Sequence, residues 1–237
     1  LWQAFAVAGS YESAVLIDGG PSENLSEQFL IDSYPSGCGV DWGIGMMEGF
    51  PREESYSAGG LADLPVCFKC YPVSAWYYVG DSSTVPTTVA LKQAIYNHGP
   101  VCAGVYASAA FQLYSGGIFN LFENGTVNHC IVLVGWNDTG GYWILKNSWG
   151  TSWGESGYMR IAYGSNQVGY AAAYWDVADH RCISPKRWYT YVNRSSGNFA
   201  LITLWERLFG TLQPTADRAT PIGVERDYRH GYWTGAD

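Results

Sequence analysis

The stretch from Asn128 to Ile161, NHCIVLVGWNDTGGYWILKNSWGTSWGESGYMRI, decides how the chain is read. An apolar run from His129 to Trp136 leads into Asn137-Asp-Thr-Gly-Gly141, and a second run covers Tyr142 to Lys146. A Gly- and Trp-rich loop then precedes a third run from Gly157 to Ile161. Runs of this length, bounded by Asn, Asp and Gly, predict three strands in an antiparallel meander. Pairing of the first two about their turn brings His129 and Asn147 to the same open end. An amide oxygen placed there accepts the imidazole N–H, fixes the tautomer and leaves the other ring nitrogen to serve a nucleophile. Trp149 and Trp153 would shield that hydrogen bond from water. On spacing alone a blander reading also fits, with a structural histidine and an asparagine capping a turn.

Composition sets the limits around this stretch. The 47% hydrophobic content over 237 residues supplies a core for one large domain or two small ones. Eleven Trp, 18 Tyr and 29 Gly point to short strands and loops around few helices. A formal charge of -8 with no basic stripe argues against a nucleic-acid binder, because nothing is available to displace counterions from phosphates. No apolar run approaches the roughly 20 residues of a membrane span, and the densest cluster, Ile131 to Val134, is strand-sized.

The six cysteines (38, 67, 70, 102, 130 and 182) and the sequons at Asn24, Asn124, Asn137 and Asn193 suit an extracellular or secretory, lysosome-like compartment. Cys67-Phe-Lys-Cys70 has half the spacing of a zinc site. With no second pair beside it, a local disulfide or loop thiols is the expectation, with no metal and no cofactor.

Charge divides the chain. Residues 1–177 carry five Lys/Arg against 15 acids, whereas residues 178–237 carry eight against six. The later part is Pro- and Ser-bearing around one expected helix, Asn198 to Gly210, and reads as an appended segment. At the other end the chain opens LWQAFAVAGSYES without Met, on a helix whose stripe of Trp2, Phe5, Ala6, Gly9, Ser13 and Val15 looks ready for burial. No capping residue precedes it, which suggests processing or a sequence incomplete at this end.

The string NSWGTSWGESGYMRI resembles the Asn-bearing segment of papain-like cysteine peptidases. Further stretches match that family in order. WQAFAVAG is similar to the start of the active-site helix, NLSEQFLIDS to the next helix, and GCGVDWG to the disulfide-and-glycine loop. FQLYSGGIF resembles the strand approach in the second domain and NHCIVLVGW the His strand. The resemblance covers residues 1 to about 177. It implies a two-domain α+β fold, with a helical left subdomain over 1–85, a right β-barrel subdomain over 86–177 and the cleft between them. It also implies a mechanism in which a helix-borne Cys, held as thiolate, attacks a peptide carbonyl while His129 moves the proton and Asn147 orients the imidazole.

The nucleophile is what the sequence lacks. Aligning Ala4-Phe5-Ala6 on the family's Cys-Trp-Ala-Phe places Trp2 at the Cys, and an indole has no lone pair able to form an acyl-enzyme. Cys130 adjoins His129, but strand alternation should turn its thiol away from the imidazole and into the barrel. Cys102 reads as a core thiol or a disulfide partner of Cys130. The family's oxyanion-hole Gln would precede Leu1. Its Gly-Gly shelf for extended substrate appears as Val40-Asp41, whose side chains would crowd the cleft, and its helix cysteine is Ser33.

Three functions fit these residues. The first is a pseudopeptidase using its cleft or appended segment to bind a protein or peptide, with self-assembly through residues 178–237. The second is an active secreted cysteine endopeptidase whose nucleophile-bearing N-terminal part is missing or misassigned. The third is a wall- or carbohydrate-associated module suggested by the many Trp and Tyr.

Overall fold

The computed structural model describes residues 2–33, 50–53 and 69–177, and beyond them the strand segments 182–183, 188–193, 200–205, 223–227 and 232–236. Helix α1 spans Trp2–Ile17. Its expected stripe holds at Ala6 and Val15 but not at Trp2 and Phe5, which are 50% and 40% exposed; the buried face also runs through Ala4, Val7, Ala8, Tyr11 and Ala14. The small residues let the helix backbone approach the sheet, whereas an indole would hold it away. The polar tips beneath it are satisfied. Tyr11 donates its hydroxyl to the Tyr71 carbonyl at 2.5 Å, and the Trp175 indole N–H donates to Ser10 Oγ at 2.8 Å.

Helix α2, Glu27–Ser33, starts where Ser26 Oγ accepts the Phe29 N–H at 3.1 Å. Strand β1, Phe50–Pro51, lies nearby through the bridge Leu25↔Arg52, and Arg52 forks onto Glu23 with two bonds of 2.7 Å. Strand β2 is Lys69–Cys70.

The strands that follow are β3 (Val73–Tyr78), β4 (Val101–Val105), β5 (Ile118–Phe119), β6 (His129–Asn137), β7 (Tyr142–Lys146), β8 (Tyr158–Ala162) and β9 (Tyr170–Val177). They form one sheet in the order β3-β9-β4-β6-β7-β8-β5, antiparallel except where β5 lies beside β8. Helix α3, Thr88–His98, is capped by Thr87 and closed by Gly99 at φ +85. The short α4, Ala109–Gln112, is capped by Ser108.

One core packs Leu91, Val105, Phe111, Ile131, Leu133, Trp143, Leu145 and Ile161; a second, under α1, joins Tyr11, Val15, Leu25 and Leu30 to Tyr71, Val73 and Trp175. The papain-like α+β architecture follows, but the subdomain boundary expected at residue 85 does not coincide with the edge of the sheet. Strand β3, ahead of that boundary, pairs along β9 from Val73↔Val177 to Tyr78↔Ala173.

The appended segment also departs from expectation. Where a helix was expected over 198–210, Ala200–Trp205 is strand β12, paired antiparallel with β11, Trp188–Asn193. The aromatic and β-branched run WYTYVN supplies a partner, and pairing outweighs the modest helix preference of ALITLW. A second hairpin joins β13, Gly223–Asp227, to β14, Tyr232–Ala236. Strand β10, Cys182–Ile183, pairs with β2, giving a small sheet in the order β1-β2-β10.

Candidate active site

His129 opens β6 opposite Val105, and Asn147 follows the last residue of β7, with its N–H donating to the Gly157 carbonyl at 2.9 Å. The meander brings the two side chains together: His129 Nε2 lies 2.8 Å from Asn147 Oδ1. The same oxygen accepts the Ser148 N–H at 2.8 Å. An amide oxygen can only accept, so Nε2 carries the hydrogen and the neutral ring keeps its lone pair on Nδ1.

Aromatic rings enclose the pair. Trp149 stacks on the imidazole with centroids 4.6 Å apart and planes at 28°, and Trp153 meets Trp149 edge-on at 5.2 Å. Phe111 packs against both indoles, and the Trp153 N–H is fixed on the Gln112 carbonyl at 3.0 Å. Gly154 makes this loop possible: it sits at φ +58, and a Cβ there would lie 2.5 Å from the Tyr158 carbonyl. His129 is 3% exposed, and burial lowers its pKa below the ordinary histidine value while the Asn147 hydrogen bond opposes the shift. The ring is therefore neutral at pH 7.

The ring that α1 presents to this imidazole is Trp2. Its centroid stands 5.9 Å from that of His129, with the planes at 66°. The nearby thiols do not take the nucleophile's place. Cys130 faces away from His129, but not into the barrel as expected: along β6, Ile131 and Leu133 serve the barrel core, while Cys130 and Val132 face α1. Alternation about a strand crossed by helices on both faces explains the reversal. Cys102 is a thiol rather than a disulfide partner of Cys130, and it donates to the Ala173 carbonyl at 3.6 Å. Burial pushes it up to about 11, so it stays protonated at neutral pH. Val40 and Asp41 lie outside the described residues.

Two features escaped the sequence reading. Below Asn147, a small cavity is lined by Phe5, Gly9, Glu12, Glu27, Lys146 and Ser148. Burial pushes the Glu12 carboxyl up to about 7, partly offset by the Leu25 N–H it accepts at 2.8 Å, with Glu27 adding repulsion. Nothing in the sequence marks Glu12 out, because Leu25 and Glu27 reach it only in the fold. The second is a cavity of about 830 Å³ beneath the start of α1, lined by Gln3, Ala6, Trp76, Gly104, Val127 and Cys130 among others. Its small residues read as ordinary packing in the sequence. Among the described residues no group of His, Cys, Asp or Glu is arranged to hold a metal, and no helix is long and apolar enough to cross a membrane.

Known proteins resemble this chain in sequence and fold. The chain is 38% identical to cathepsin Z of Onchocerca volvulus over 162 residues, which is 60% of this chain and 53% of that protein. It is 34% identical to cysteine proteinase A of Leishmania mexicana over 178 residues, 69% of this chain and 49% of that one. It thus spans about half the length of the curated relatives it matches. Among solved structures, bromelain protease from Ananas comosus in complex with the E64 inhibitor superposes with a TM-score of 0.64 at 26% identity, over 74% of this chain and 88% of that one. The family model for papain family cysteine proteases matches residues 2–176, so with its paired imidazole and amide, its two cores and its sheet, this chain belongs to the papain family.

Proposed function

We propose that this chain is a pseudopeptidase, a papain-family protein that keeps the fold and the oriented imidazole but binds a protein or peptide without hydrolysing it. The observation that carries the reading is Trp2, whose indole occupies the helix position facing His129. Acyl transfer needs a group that attacks the carbonyl and accepts it covalently, and neither an indole nor a thiol held protonated by burial does so. Loss of a nucleophile from a comparable triad costs on the order of six decades in rate. What His129 and Asn147 supply here is a neutral ring, fixed in one tautomer and sealed by Trp149.

The core gives the carbohydrate-module reading no support, since Trp143 and Trp175 are buried and Trp149 and Trp153 pack against it, while Trp2, Tyr77, Tyr96 and Tyr158 are exposed. Cathepsin and cysteine-proteinase relatives support an extracellular or lysosome-like location for this chain. They also favour a second reading, in which the protein is an active peptidase whose attacking thiol comes from another part of it. Self-assembly through residues 178–237 belongs to the first reading. It is tested by deleting 183–237 and measuring the size distribution, which would stay unchanged if the segment has no such role.

The deciding experiment treats the native protein with an epoxide thiol trap and maps the peptides. No adduct is expected on any cysteine, and Trp2→Cys is expected to create one that His129→Ala removes. A His129-dependent adduct on the unaltered protein would overturn the pseudopeptidase reading.

A further inference from the structure

We infer that Asn124 carries an N-linked glycan, standing at the mouth of the large cavity beneath the start of α1. The sequence offers the acceptor pattern Asn-x-Ser/Thr at Asn24, Asn124, Asn137 and Asn193, and the pattern alone ranks none of them. A bulky sugar chain needs an amide that reaches solvent and serves no internal contact. Asn24 is exposed, but it borders the small cavity beside Glu12 and Glu27, its carbonyl accepts the Glu53 N–H at 2.9 Å, and Ser26 is wholly buried at the cap of α2. Asn137 commits its amide oxygen to the Gly140 N–H at 2.7 Å, closing the turn between β6 and β7. Its neighbour Asp138 is held by Lys92 and by the Tyr163 hydroxyl at 3.1 Å. The side chain of Asn193 lies outside the described residues.

Asn124 meets both requirements. It is exposed, as is Thr126, and among the described residues its amide enters no hydrogen bond. The backbone on either side of it is nevertheless fixed. Glu123 donates its N–H to Asn166 Oδ1 at 2.9 Å, its carboxylate accepts the Asn166 amide at 3.2 Å, and the Gly125 carbonyl accepts the Gln167 amide. Asn166 itself is 1% exposed, so this anchor belongs to the interior. Gly125 lies against Tyr106, where a Cβ would collide with the ring. The loop is thus pinned from below while the acceptor amide stays in water. Asn124, Gly125 and Thr126 border the cavity of about 830 Å³ with Gln167 and Tyr170, which sets the first sugars beside its opening.

The step balances as a glycosyl transfer from a lipid diphosphate-linked oligosaccharide. The anomeric C–O bond of the donor breaks and a C–N bond to Asn124 Nδ2 forms; the diphosphate leaves with the bonding electron pair, and the amide gives up one proton. The inference rests on the secretory location proposed above, where such a donor is met.

Chymotrypsin allows the test, because cuts after Phe122 and Trp136 separate Asn124 from Asn137. The native full-length protein would be digested, treated with peptide N-glycosidase in heavy-oxygen water, which turns each glycosylated Asn into a labelled Asp, and mapped by mass spectrometry. Label is expected at position 124, and Asn124→Gln is expected to lose the mass of one glycan. An unlabelled Asn124 beside label at another of these sites would overturn the assignment and leave the location standing. Label at none of them would overturn both.

Discussion

Replacing Glu12 by Gln should make the protein more stable at alkaline pH and leave it nearly unchanged in acid. The glutamate sits mid-helix in α1, where its Oε1 accepts the Leu25 N–H at 2.8 Å, a bond that Gln retains. What the substitution removes is a charge that burial disfavours and that Glu27 repels. The folded carboxyl titrates at about 7, against an ordinary value of roughly 4.3. A raised carboxyl contributes stability that is fully present below the ordinary range and is lost as pH rises through the folded value.

The displacement corresponds to at most about 3.5 kcal/mol, and partial solvent contact reduces this to roughly 2 kcal/mol. For a domain of this size, 2 kcal/mol moves Tm by about 4–8 °C. Thermal unfolding followed by circular dichroism at pH 4 and pH 9 reads the effect. Glu12→Gln should melt higher at pH 9, with the gap closing at pH 4. An equal gain at both pH values, or a loss at pH 9, would refute the argument that a buried charge is the cause.

His129 should titrate below the ordinary histidine value in an NMR pH series, since its burial disfavours the cation. Stability contributed by the neutral ring is present above that ordinary value and declines as pH falls, and Asn147→Ala, which removes the acceptor favouring the cation, should push the titration lower still. Tyr11→Phe leaves the buried Tyr71 carbonyl without the hydroxyl that reaches it at 2.5 Å, and should cost about 1–3 kcal/mol in urea unfolding. Gly104→Ala places a methyl 2.7 Å from Val127 Cγ1 and 3.2 Å from the Tyr170 carbonyl, so a loss of about 1–3 kcal/mol is expected from the same assay.

The meander was legible in the sequence because its runs are bounded on both sides by residues that form turns: Tyr142–Lys146 has the expected bounds, and His129–Asn137 and Tyr158–Ala162 differ from expectation by one residue at their ends. Its register then makes the 2.8 Å contact of His129 with Asn147 nearly unavoidable. The first helix was legible as a helix but only partly in phase. Ala, Val and Gly cover so much of its circumference that periodicity cannot say which side meets the sheet, and packing of Ala4, Ala8 and Tyr11 decided it. Asn198 to Gly210 failed for a different reason: ALITLW suits both states, and only a partner strand settles the choice. The near-neutral carboxyl of Glu12 could not be read at all, because α1, the Leu25 amide and Glu27 produce it only when brought together.

The sheet order has a kinetic consequence. Strands β6, β7 and β8 join neighbours in the chain, so the imidazole and its amide partner meet by closing short loops. The edge strand β3 must instead wait for β9, with Val73 meeting Val177, before the floor beneath α1 exists. Long-range pairings of this kind are slow to form. The platform carrying His129 would therefore be assembled ahead of the floor on which the helix of Trp2 rests, and hydrogen-exchange labelling of the refolding chain would find the amides of β6 and β7 protected before those of β3.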